Sequence, residues 1–205
     1  MLDFVMISSK TTKNGVVDIY PKFRLYPKSQ DLMIRGGDFY AIWNERTGLW
    51  STNEDDALAL IDDEIKEYAE KYREAHQDLK INVLYTWDSS SGIIDLWHKY
   101  CQKQKRDSFK MLDESLIFSN TKTIKQDYAS KKLSYPLEKC NIDAYDKLMS
   151  VLYSKEERHK LEWAIGSIVT GDSKTIQKFI VLYGSAGTGK STVLNIIQKL
   201  FDGYY

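Results

Sequence analysis

Lys178 to Phe201 reads "KFIVLYGSAGTGKSTVLNIIQKLF". The opening "KFIVLY" is an almost unbroken apolar run, the pattern of a strand buried on both faces. Gly184 to Ser191 then matches G-x-x-x-x-G-K-[ST]. The residues that follow place Val193, Ile196, Ile197 and Leu200 on one side of a helix. Strand, glycine loop and helix in that order are the context in which this motif grips phosphate.

Each residue type in the loop has a chemical reason. Gly184, Gly187 and Gly189 let backbone pass close to a phosphate without a Cβ in the way. The amides of Ser185, Ala186 and Thr188, with the positive end of the following helix, form a nest for anions. Lys190 reaches the β- and γ-phosphates, and the Ser191 hydroxyl is the expected Mg2+ ligand. Thr192 follows, within reach of an α-phosphate. The expected ligand is therefore a nucleoside triphosphate with Mg2+.

A P-loop strand needs parallel neighbours, and a P-loop ATPase needs an acidic strand end to hold its metal. Only 14 residues follow Ser191, and the segments before the loop read mostly as helices. The expectation is that the rest of the nucleotide-hydrolysing domain lies downstream of this chain.

Working back from the loop, Ser154 fits a helix N-cap, with Glu157 completing a capping box. The helix that it opens puts Leu161, Ala164, Ile165 and Ile168 on one face and ends near Gly171. Glu162 and Trp163 read as ordinary surface and packing residues. Another helix is expected over about 144–153. Pro136 is a plausible boundary within the chain.

The amino-terminal part is different. "GVVDIYPKF" and "DFYAIW" are rich in β-branched and aromatic residues and read as strands. "DFYAIWNERTGLWST" reads as a hairpin turning at Asn44 to Gly48, with Trp43 and Trp50 packed across it. A helix is expected over about 55–75, with Leu58, Ile61, Ile65, Tyr68 and Tyr72 as its apolar stripe. The acids Asp55, Asp56, Asp62, Asp63 and Glu64 read as a helix start suited to the dipole and a solvated face, not as a metal site. A further helix is expected over about 93–105. Beyond it, lysines and Arg106 alternate with Tyr100, Phe109 and Tyr128. The charge runs are short, so the segment reads as a solvated connector; Lys103, Lys105 and Arg106 are the residues that a nucleic-acid strand would meet.

The 205 residues carry 29 basic and 29 acidic side chains, so any basic surface must be local. Cys101 and Cys140 are far apart and read as reduced thiols. His76, His98 and His159 lack zinc-ligand spacing. With no leader and no apolar span, a soluble cytoplasmic protein is expected. The fold class expected is α+β: a β-rich and helical segment over 1–110, a helical module over 111–175, and the first strand, P-loop and helix of an NTPase domain over 176–205.

The stretch "LYSKEERHKLEWAIGSIVTGDSKTIQKFIVLYGSAGTGKSTVLNIIQKLFDGYY" resembles the bacteriophage and plasmid primase–helicases, which are similar to the poxvirus primase–helicase and carry a superfamily 3 helicase domain. The resemblance rests on Glu157, Lys160, Glu162, Trp163, Ile165, Gly166 and Gly171, then Gly184 to Thr192. It implies Mg2+-ATP as cofactor and an ATP-driven helicase that moves on single-stranded DNA as a homo-hexamer. The family's second acidic motif, sensor and arginine finger have no counterpart in the sequence, so hydrolysis by this chain alone is not expected. Two other readings are a DNA- or partner-binding module with a remnant loop, and a small nucleotide kinase. The kinase fits less well, because such enzymes carry the loop near the start of the domain.

Overall fold

The computed structural model describes residues 2–25, 28–104 and 109–204, apart from the side chains of 173 and 174. The chain is a mixed α+β protein of two compact units, Met1–Met111 and Leu112–Tyr205. The division falls after Met111, and Pro136 lies inside the second unit.

The first unit holds two small sheets. One contains β1 (Val5–Thr11), β2 (Val17–Phe23) and β6 (Ile81–Val83), with β1–β2 antiparallel and β2–β6 parallel. The other is the antiparallel set β3 (Leu32–Arg35), β4 (Asp38–Asn44) and β5 (Leu49–Ser51). Pro21 stands in the middle strand of the first sheet, which proline normally avoids. It is tolerated because β6 pairs only with Val17 to Ile19, leaving that edge of β2 without a ladder partner at Pro21.

The β4–β5 hairpin forms as expected, closed by the Gly48 amide donating to the Asn44 carbonyl at 2.9 Å. Trp43 and Trp50 face each other across it, ring centroids 5.7 Å apart and nearly edge-on. Both are buried, so they pack the hairpin and offer no base-stacking surface.

Helix α1 (Glu54–Ala75) is capped by Asn53, whose side chain accepts from the Asp55 amide. It buries Ala57, Ile61, Ile65 and Ala69 against the sheets. Helix α2 (Ile93–Lys103) adds Trp97, Tyr100 and Cys101 to the same core. Burial pushes the Cys101 thiol up to about 12, so it stays protonated and inert.

Of the α1 acids, Asp55, Asp56 and Asp63 are exposed as expected, the first two in the helix's first turn, whereas Asp62 and Glu64 differ from the solvated face expected of them. The Asp62 carboxylate accepts from the Thr86 amide at 2.8 Å and from its hydroxyl at 2.7 Å. Glu64 accepts from the Leu2 amide at 2.9 Å. These carboxylates fasten chain segments that would otherwise leave polar groups unpaired on the core's edge. No group of three or more His, Cys, Asp or Glu among the described residues is placed to hold a metal ion.

The second unit is helical: α3 (Asp143–Leu152), α4 (Lys155–Val169), a single turn α5 (Ser173–Ile176) and α6 (Lys190–Leu200). The Ser154–Glu157 capping box is present, with the Ser154 amide donating to Glu157 at 2.9 Å and the Glu157 amide to the Ser154 hydroxyl at 3.3 Å. Arg158 joins α3 to α4. It donates to Glu162 at 2.7 Å and to Asp146, and its guanidinium lies 5.2 Å from the centre of the Tyr145 ring. No helix among the described residues is long and apolar enough to cross a membrane.

Candidate phosphate-binding loop

The expected strand at Lys178–Tyr183 is not formed. Phe179 is 87% exposed and Tyr183 97%. A strand exists only through its ladder, and among the described residues no other strand lies in the second unit. The apolar run therefore lies outside any sheet, and a P-loop domain is not assembled around it.

The loop and its helix are formed. Gly184, Gly187 and Gly189 all have positive φ, at 151°, 80° and 77°. A β-carbon makes such angles costly, so the motif's glycines are a backbone requirement here. Helix α6 begins at Lys190, with Gly189 as its N-cap, and its first bond runs from the Val193 amide to the Gly189 carbonyl at 3.1 Å. The amides of Lys190, Ser191 and Thr192 thus have no acceptor within the helix.

The Lys190 ammonium folds back into the loop. It donates to the Gly184 carbonyl at 2.9 Å, the Ser185 carbonyl at 2.5 Å and the Thr188 hydroxyl at 3.0 Å. That hydroxyl donates in turn to the Ser185 carbonyl at 3.0 Å. Ser185, Ala186, Gly187 and Thr188 are exposed, as are Ser191 and Thr192. One positive charge thus sits at the centre of an open loop, beside the positive end of a helix.

What positions the loop is the helical module before it. Val193 of α6 is buried with Met149 of α3 and Leu161 of α4, flanked by Leu152, Tyr153, Ile165 and Ile197. The far end of α6 is tied down by the irregular segment 112–135. The Tyr135 hydroxyl donates to the Leu200 carbonyl, and the Tyr204 hydroxyl accepts from the Ile117 amide and donates to the Lys131 carbonyl. So α3 and α4 cover part of the apolar face that a sheet was expected to cover.

Gly189 touches this module most closely. A Cβ there would lie 2.4 Å from Leu152 Cδ2 and 2.9 Å from its Cδ1. Gly189→Ala is expected to cost about 1–2 kcal/mol from the left-handed backbone alone, with displacement of the Leu152 side chain in addition. Thermal melts of this variant, of Leu152→Ala and of the two together check it: in the Leu152→Ala background, Gly189→Ala should cost only the backbone part. Equal melting of Gly189→Ala and the unmodified chain would contradict the packing described.

A cavity of about 620 Å3 opens against the loop. Gly184, Ser185, Thr188 and Lys190 line it, with residues 178–183. Leu152, Tyr153 and the α4 residues Glu157, Lys160, Leu161, Trp163 and Ala164 line it as well. Trp163, read from sequence as an ordinary surface or packing residue, is 54% exposed. Helical spacing alone does not place it beside the loop, because the lining residues from 178 to 190 come 15 to 27 positions on.

Of the expected nucleic-acid contacts, Lys105 and Arg106 lie outside the described residues. Lys103 is exposed at the end of α2 and lines a shallow groove of about 460 Å3 with Lys22 and Lys99. Tyr20, Pro21, Phe23, Leu25, Leu96 and Tyr100 also line it, and none of the described residues that line it is acidic. Lys22 and Lys99 were not legible as partners of Lys103, since β2 and α2 meet only through the fold.

No protein-family model matches the chain, and neither a curated protein nor a solved structure similar to it was found.

Proposed function

We propose that this chain binds Mg2+-ATP through Gly184 to Thr192 and is the N-terminal part of a phage-type replicative DNA helicase of the primase–helicase kind. The observation that carries the reading is the loop itself: three glycines in left-handed or otherwise glycine-favouring backbone, closing on a helix start with Lys190 at their centre. Such a loop supplies amide dipoles and a cation to a triphosphate at once.

The residues suit a magnesium ion only in company with the nucleotide. Ser191 presents one exposed hydroxyl in the first turn of α6. Mg2+ ordinarily takes one or two protein oxygens and completes its shell with phosphates and water. Ser191 would be that protein ligand, and the metal would neutralise charge on the phosphates. Turnover needs a further carboxylate and an arginine, so ATP binding without hydrolysis is the activity proposed for this chain. Assembly into a hexamer belongs to the same proposal, and sedimentation with and without Mg2+-ATP tests it.

Single-stranded DNA is the proposed polymer partner, and the lysine groove of the first unit is its proposed seat. Lys99 and Lys103 are one helical turn apart, about 5–6 Å between their β-carbons, and Lys22 faces the same groove. Replacing Lys22, Lys99 and Lys103 together by Gln should weaken binding and lower the log–log salt slope by about 2, at roughly 0.7 per lost phosphate contact. Fluorescence anisotropy of a labelled oligonucleotide across a salt series measures both. An unchanged slope would remove the groove from the DNA path.

The test of the proposal as a whole is calorimetric titration of the chain with Mg2+-ATP, with Lys190→Ala as the control.

A further inference from the structure

We infer that the base of the bound nucleotide stacks on the indole of Trp163, so that the site recognises a nucleoside triphosphate and not polyphosphate as such. The inference rests on the phosphate-loop reading and extends it to the other end of the ligand. Two observations lead to it.

The first is continuity. The phosphate loop and the exposed part of Trp163 share one cavity of about 620 Å3, within the range usual for small-molecule sites. A ligand with its phosphates at Lys190 has the rest of its body in that space. The second is chemistry. Leu161 and Ala164, neighbours of Trp163 on α4, turn into the core and are 6% and 8% exposed, whereas Trp163 is 54% exposed. The helix thus directs its largest ring out of the core and into the cavity wall. The wall is otherwise apolar at Leu152, Leu161 and Ala164, which favours a flat, weakly polar group over a sugar or a second anion.

Glu157 and Lys160, the charged α4 residues that line the cavity, are already engaged, Glu157 by Ser154 and Lys160 by Glu156 at 2.7 Å. The pocket's discrimination for a base therefore falls to the ring.

The test compares two ligands, Mg2+-ATP and Mg2+-tripolyphosphate, by calorimetry on the intact chain, Trp163→Ala, Trp163→Phe and Lys190→Ala. The unmodified chain should bind ATP about tenfold more tightly than tripolyphosphate, an increment within the range of base–aromatic stacking. Trp163→Ala should bring ATP down to the tripolyphosphate level and leave tripolyphosphate unchanged; Trp163→Phe should keep most of the difference. Equal affinity for both ligands in the unmodified chain, or an ATP preference that survives Trp163→Ala, overturns the inference while the phosphate loop stands. A Trp163→Ala change that weakens both ligands alike overturns it too, as a structural effect. Binding of neither ligand to the unmodified chain removes the phosphate-loop reading itself, and the inference with it.

Discussion

Lys190→Ala is expected to weaken Mg2+-ATP binding by about 100-fold or more. A hydrogen bond to a charged group is worth about 1.5–3 kcal/mol, and 1.4 kcal/mol is tenfold in affinity. The ammonium also supplies Coulomb attraction that the amide nest lacks. The fold should survive the change. The groups that Lys190 holds, the Gly184 and Ser185 carbonyls and the Thr188 hydroxyl, belong to an exposed loop, and water replaces the amine there. Lys190→Arg keeps the charge but not the compact head group, and an intermediate affinity is expected. Loss of affinity with an unchanged melting temperature assigns the effect to the ligand.

The other large effect concerns stability of the first unit. Trp97 is fully buried where the two sheets meet α1 and α2. Its ring lies within 5.6–6.2 Å of those of Phe4, Phe23, Phe39 and Tyr100. Its indole N–H donates to Glu54 at 2.7 Å, on the first turn of α1. Trp97→Ala should cost about 3–5 kcal/mol, a large share of the 5–15 kcal/mol that holds an ordinary domain. Denaturant unfolding measures it. Trp97→Phe should cost less, since it keeps an aromatic filler and loses the hydrogen bond and the second ring. A loss below 1 kcal/mol in the alanine variant would mean that the core is not built around this residue.

The parts of the fold that were legible in the sequence are those specified locally. The hairpin announces itself by a turn between two aromatic strands. Helix α4 does so by Ser154 and Glu157, and α6 by the glycine loop before it. Each signal lies within a few residues of the structure that it dictates. What was not legible depends on distant segments. Strand β6 is three residues long and exists only because β2 offers an edge to it. Asp62 and Glu64 look like surface acids until Thr86 and Leu2 arrive from elsewhere. "KFIVLY" carries the composition of a buried strand, but composition does not supply neighbours, and without them Phe179, Ile180, Val181 and Tyr183 stay exposed while only Leu182 packs on the core. At the site, Gly184 to Thr192 were legible as a motif. Trp163 was not legible as a neighbour of the loop, because the cavity that both line is built from separate elements.

The central claim is that the loop from Gly184 to Thr192 receives the phosphates of a nucleotide. Backbone amide resonances followed by 15N NMR during a Mg2+-ATP titration test it most directly, because the nest is made of amides. The account predicts that the amides of Ser185 to Thr192 shift first and furthest, and that Lys190→Ala abolishes those shifts. Millimolar Mg2+-ATP that leaves these amides in place, or shifts only residues elsewhere in the chain, would contradict it.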